Sequence, residues 1–281
     1  GAFNNVIGFR PSTNVVMDEG DEINRLLSTS GPMGRNTRDL ISLLKTIALN
    51  PEFNGINPLD FKDVKIGWLK DLGGYLPFEP GILKLCENSL SKLTSARAKV
   101  ELTQTKLNPS DLWTCWTTLR HQTRLKMLEF YENPMTHNLL KPELVWEIEQ
   151  ALSLKEKNIE EAELFRKEWY AELDRLFDKY DFLILPTAQV FPFSTDIHWP
   201  KEINGRIMDT YHRWMEVVIV ASVGGIPAIN LPTGFDSRGR PMGLQVMGKF
   251  GNDRRVLQFG LAYEQITDYL DARPELVFYN S

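Results

Sequence analysis

Tyr211, Trp214, Met215, Val218, Ile219 and Ser222 fall at three- and four-residue steps, the spacing with which a helix turns one face to a core. Gly224, Gly225 and Pro227 end that pattern, and Ala228–Pro232 is a short apolar run bounded by Pro and Gly, as in a buried strand. Two further continuous apolar runs, Tyr180–Thr187 (YDFLILPT) and Met242–Gly248 (MGLQVMG), flank this helix, turn and strand. Three such runs separated by helical periodicity predict an α/β sheet covered on both faces.

Upstream, Asn5–Phe9 reads as a strand stopped by Pro11, and Asn36 as the cap of a helix carrying Leu40, Leu43, Leu44, Ile47 and Ala48 on one face. Asn50–Pro58 reads as a loop. Val64–Leu69 and Lys99–Thr103 read as strands joined by a helix over Glu79–Arg97, which makes a βαβ unit. Residues 109–178 are helical in pattern, with Ser110 capping a helix to about Tyr131 and Pro142 opening another that reaches Asp178. On its pattern alone this stretch is a structural helical layer, whose Trp113, Trp116, His121 and Tyr131 either line an aromatic pocket or belong to a core.

Composition narrows the classes. With 281 residues, 42% hydrophobic and 25% charged, the chain has the make-up of an ordinary globular protein. A formal net charge of -5, with Lys and Arg interleaved among acids, argues against a nucleic-acid groove. Cys86 and Cys115 are too few for a disulfide scaffold, which points to a reducing, cytoplasmic setting. No signal peptide or lipidation motif is visible, and the best apolar run, Val217–Val223, is far short of the ~20 residues of a membrane span.

Five blocks in fixed order carry a family resemblance: AFNNVIGFRPS (Ala2–Ser12), SGPMGRNTRDL (Ser30–Leu40), FLILPT followed by Pro192-Phe193, GIPAINLPTGF, and GRPMGLQVMG with NDRRVLQFGLAYE (Asn252–Glu264). Together they resemble the C-terminal portion of the amidase signature family. The resemblance implies a mixed sheet flanked by helices (α/β/α), incomplete on its N-terminal side. It makes 1–281 a single C-terminal lobe with 109–178 as a helical insertion or cap. It also implies cleavage of an amide C–N bond by a Ser, a bridging cis-Ser and a Lys, with glycine-loop N–H groups as oxyanion donors. In the family these groups precede the block that here starts at Ala2, so no catalytic residue is expected in this chain. The upstream segment of the same protein is then its expected partner, with a homo-oligomer as a further possibility opened by uncovered sheet edges.

Other chemistries find little support in the residues. Ser42–Lys45 (SLLK) and Ser89–Lys92 (SLSK) match S-x-x-K but lie inside amphipathic helices without a hydroxyl-rich loop. His121, His137, His198 and His212 show no HExxH and no cluster with Cys, so no metal is expected. Gly73-Gly74 lacks the rest of a phosphate-loop pattern, and no cofactor is implied. The resemblance carries substrate contact onto Tyr211, Trp214, Met215 and Val218, which gives a bulky pocket without charge. That favours a small apolar or aromatic amide over glutaminyl-tRNA amidotransferase activity. Glu216 is expected on the helix's polar side. The competing reading makes 211–222 a core helix whose only task is packing; for the chain as a whole, the alternatives are a non-catalytic binding module with this fold and one subunit of a two-chain amidase.

Overall fold

The computed structural model describes residues 1–16, 27–48 and 53–272, so part of the loop expected over 50–58 lies outside the described residues. Seven strands form one mixed sheet: β1 (Ile7–Arg10), β2 (Met33–Gly34), β3 (Lys65–Trp68), β4 (Lys99–Leu102), β5 (Phe182–Pro186), β8 (Ala228–Phe235) and β9 (Pro241–Met247), in the order β2-β1-β8-β9-β5-β3-β4. A separate two-stranded ribbon pairs β6 (Glu202–Ile203) with β7 (Arg206–Ile207). β3 runs parallel to β4 and to β5, while β5, β9, β8 and β1 pair antiparallel in turn. The three apolar runs therefore lie side by side as β8, β9 and β5, and β5 is buried at every position. A strand covered on both faces needs no polar alternation, which is why these segments read as unbroken apolar runs.

The βαβ unit is present, its crossover helix spanning Ile82–Ser95 rather than Glu79–Arg97 because Gly81, at φ 101°, turns the chain into the first helical residue. Asn36 caps the helix Thr37–Ile47 by accepting from the Asp39 N–H. The two long helices expected in 109–178 are each broken. The first spans Pro109–Gln122, capped by Asn108 rather than Ser110, and passes through a 3-10 turn, Thr123–Met127, into Leu128–Glu132. The second divides into Pro142–Leu152 and Glu156–Lys179, where Lys155 and Asn158 form a reciprocal cap that starts a new helix.

The largest difference lies at 211–222. Instead of one α-helix, a 3-10 turn over Arg213–Val218 leads into a short helix, Ile219–Gly224. The cause is side-chain competition for the backbone. Gln189 Oε1 accepts from the Val217 N–H at 3.0 Å, and Gln245 Nε2 donates to the Val217 carbonyl at 3.1 Å, so the usual i to i−4 ladder does not form there. Both amides are buried and both are held by a second bond, Gln189 by donating its Nε2 to Pro77 O and Gln245 by donating the same Nε2 to Pro186 O as well.

Candidate functional site

The segment 211–218 forms one wall of an aromatic cluster. Trp214 stacks on Phe3 at 6.1 Å between ring centroids and meets Phe193 edge-on at 5.4 Å; Phe3 and Phe193 are themselves 5.9 Å apart. Tyr211 lies 6.4 Å from Trp214 and also contacts Trp199, His198 and His212. Val190, Ile203 and Met208 close the back of the cluster. The Trp214 indole N–H is buried with no acceptor among the described residues. Of the four residues carried over by resemblance, the structure brings Tyr211 and Trp214 together, leaves Met215 half-buried beside them in sequence, and puts Val218 at 39% exposure on the surface. Phe3 and Phe193 belong to the cluster as well. In the sequence they stand in separate blocks, and nothing in their spacing brings them together across 190 positions.

Glu216 corrects the sequence reading. It is 2% exposed, not on a polar face, and its carboxylate accepts from Tyr75 Oη at 2.6 Å and Arg213 Nη1 at 3.2 Å. Arg213 in turn holds Asp209 through two bonds of 3.0 Å and lies over the Trp113 ring at 4.0 Å. Burial pushes the Glu216 carboxyl up, against the pull of Tyr75 and Arg213. Burial and then Glu216 push the Tyr75 phenol up to about 12. Arg213 is thus shared by Asp209 and Glu216 behind the aromatic face, and Glu216 Oε2 is buried with no hydrogen-bond partner among the described residues.

The insertion is tied to the same wall. Trp169 Nε1 donates to Val220 O at 3.2 Å and Arg166 Nε donates to Val223 O at 3.3 Å. Trp116 meets the His212 ring at 5.6 Å and lies against Trp113, whereas Tyr131 pairs with His137 and His121 with Trp146, so the four-residue aromatic pocket expected in 109–131 is not assembled as one. His212 and His121 are both buried, and burial is the main cause that lowers each imidazole to about 4; Arg120 adds to it.

The two S-x-x-K pairs have ordinary partners. Ser42 Oγ donates to Arg38 O along its own helix; Ser89 Oγ donates to Tyr269 Oη, while Lys92 pairs with Asp268. Among the described residues no group of three or more His, Cys, Asp and Glu side chains is placed to hold a metal, and no helix is long and apolar enough to cross a membrane.

Comparison with known proteins places this fold in a class. The Amidase family profile matches residues 1–257, and the chain belongs to that family. The fold is that of the amidase signature enzymes: a bacterial aryl acylamidase superposes with a TM-score of 0.85 at 21% identity, covering 97% of this chain and 62% of that one. A 6-aminohexanoate cyclic dimer hydrolase solved with its substrate superposes at 0.79 and 18% identity, covering 98% of this chain and 63% of that one. In sequence, a glutamyl-tRNA(Gln) amidotransferase component from Synechococcus sp. (strain RCC307) is 36% identical over 104 residues, which is 37% of this chain and 20% of that protein. The chain thus spans less than two thirds of the solved structures it resembles, and its aligned stretch about a fifth of the curated relative.

Proposed function

We propose that this chain is the C-terminal part of an amidase that hydrolyses the C–N bond of a small apolar or aromatic amide, and that Tyr211, Trp214, Met215 and Val218 contact its acyl portion. The attacking Ser, the cis-Ser and the Lys come from the segment that precedes Ala2 in the family. The observation that carries this reading is the position of Phe3 against Trp214 and Phe193. Ala2–Ser12 is the block that follows the nucleophile motif in the family, so the aromatic cluster stands beside the point from which the nucleophile is delivered. An amide with a flat or branched acyl group buries its apolar area there, at about 25 cal/mol per Å². A relative whose name specifies tRNA-linked glutamate suggests an ionic substrate instead, but the rings of this wall carry no charge, and the arginine behind them, Arg213, is already engaged by Glu216 and Asp209.

Two buried free thiols, Cys86 and Cys115, fit a reducing compartment, and burial pushes both thiols up and leaves them inert. The test uses the full-length protein with anilides graded by acyl size. We expect kcat/KM to rise from acetyl to bulkier apolar acyl groups, and Trp214→Ala to flatten the series by roughly tenfold at its bulky end. A series that is flat in the unmodified protein, or one that favours charged acyl groups, refutes the assignment.

A further inference from the structure

We propose that Glu147, on the helical insertion, is a positioning residue for substrate binding: it fixes His212 and thereby the aromatic face formed by Tyr211 and Trp214. The inference rests on the substrate contact proposed for those two residues.

Glu147 is 3% exposed, which is rare for a carboxylate unless it is paired. Its partners come from three directions. Arg120 Nε donates to Oε1, with Nη2 3.5 Å from Oε2; Arg124 Nε donates to Oε2 at 3.0 Å; and His212 Nε2 stands 3.4 Å from Oε1. The arginines belong to the insertion's first helix and the 3-10 turn after it, Glu147 to the helix Pro142–Leu152, and His212 to the proposed binding segment. One carboxylate therefore joins two pieces of the insertion to the substrate wall. The His212 ring lies 5.6 Å from Trp116 and meets Tyr211 edge-on at 5.2 Å, and Tyr211 in turn meets Trp214 edge-on, so a shift of His212 disturbs the packing of Tyr211.

Without the carboxylate, Arg120 and Arg124 face each other uncompensated and His212 loses its polar neighbour. Half-buried cations in that state recruit water or swing outward, which loosens Arg120 over the Trp116 ring and with it the ring on which His212 rests. The insertion then acts as a fixed backing of the pocket rather than as a lid that opens. Two more ties, Trp169 to Val220 O and Arg166 to Val223 O, hold the helix that follows the same segment.

The test compares Glu147→Ala, Glu147→Gln and a control in the full-length protein with an aromatic anilide. The control is Glu172→Ala, which removes another nearly buried carboxylate of the insertion, held by Arg175 at 2.7 Å and by the Lys106 N–H, away from the 211–218 segment. We expect Glu147→Ala to raise KM at least about tenfold with kcat within about threefold. Glu147→Gln, which keeps an acceptor of the same shape, recovers most of the loss, and Glu172→Ala lowers thermal stability without moving KM. Equal KM effects from Glu147→Ala and Glu172→Ala overturn the proposal, as does an unchanged KM in Glu147→Ala. Tyr211→Ala and Trp214→Ala separate the two levels: if they leave KM unchanged, the substrate contact itself is wrong; if they raise it and Glu147→Ala does not, only the positioning role falls.

Discussion

Acidification perturbs the insertion through His121 and His212. Each imidazole is lowered from 6.5 to about 4, so on descending through pH 6.5 the unfolded chain takes up two protons that the folded chain refuses until near pH 4. The stability they allow is therefore complete above pH 6.5 and falls as pH drops toward 4. At 1.36 kcal/mol for each unit, one histidine costs about 3 kcal/mol over the full interval, and the pair costs about 4 kcal/mol by roughly pH 5. That is a large part of the roughly 5–15 kcal/mol that holds a domain together. Glu216 and Glu264, whose carboxyls are raised by burial, act in the opposite sense and relieve part of the loss as they protonate. Urea denaturation from neutral pH down to about pH 5 measures the net slope. Repeating it on a His121→Gln/His212→Asn protein removes the two sites, so the slope should shrink by more than half whatever the absolute stability of the variant. A double variant that keeps the acid slope of the parent refutes the assignment of these two rings as buried and neutral.

Three further outcomes are expected. Gly225→Ala forces a Cβ to within 2.7 Å of Thr13 Oγ1 at φ 61°, and should cost about 1–3 kcal/mol in denaturant unfolding; a neutral result would show that the turn before β8 adapts. Asp253→Ala removes the acceptor of both the Ser12 N–H and the Ser12 hydroxyl, joining the end of β1 to the helix Asp253–Gln265; a loss of about 2–4 kcal/mol is expected by the same measurement, and a loss under about 0.5 kcal/mol contradicts it. If the nucleophile comes from the segment before Ala2, as proposed above, the isolated 281-residue chain should neither turn over an anilide nor label with a fluorophosphonate; stoichiometric labelling of any Ser in it would count decisively the other way.

The sheet was readable because its central strands are apolar on both sides. FLILP, AINLP and MGLQVM leave no helical alternative of the right length, and they proved to be neighbours. The 211–222 segment was readable in its burial but not in its backbone, since the residues that divert it, Gln189 and Gln245, are polar side chains from the loop after β5 and from β9. Glu216 misled for a related reason. On a helical wheel a glutamate marks solvent; Arg213, three residues earlier, is visible as a partner in the sequence, but Tyr75, 141 positions away, is recognisable only once the chain has folded. The breaks at Thr123 and Ser153 lie in runs of good helix formers without Gly or Pro, where tertiary packing outweighs propensity.

The partnering of β1 with β8 bears on how this polypeptide is made. Asn230 reaches back 224 positions to the Val6 carbonyl, and both hydrogen-bonding edges of β1 are satisfied only when β2 and β8 are present. At roughly 5–20 residues per second on the ribosome, β1 leaves the exit tunnel roughly ten to forty-five seconds before its second neighbour leaves it. For that interval an Ile-Gly-Phe segment waits with one side open to any passing extended chain, which makes the stretch of synthesis between β1 and β8 a period when this protein most needs a chaperone's company.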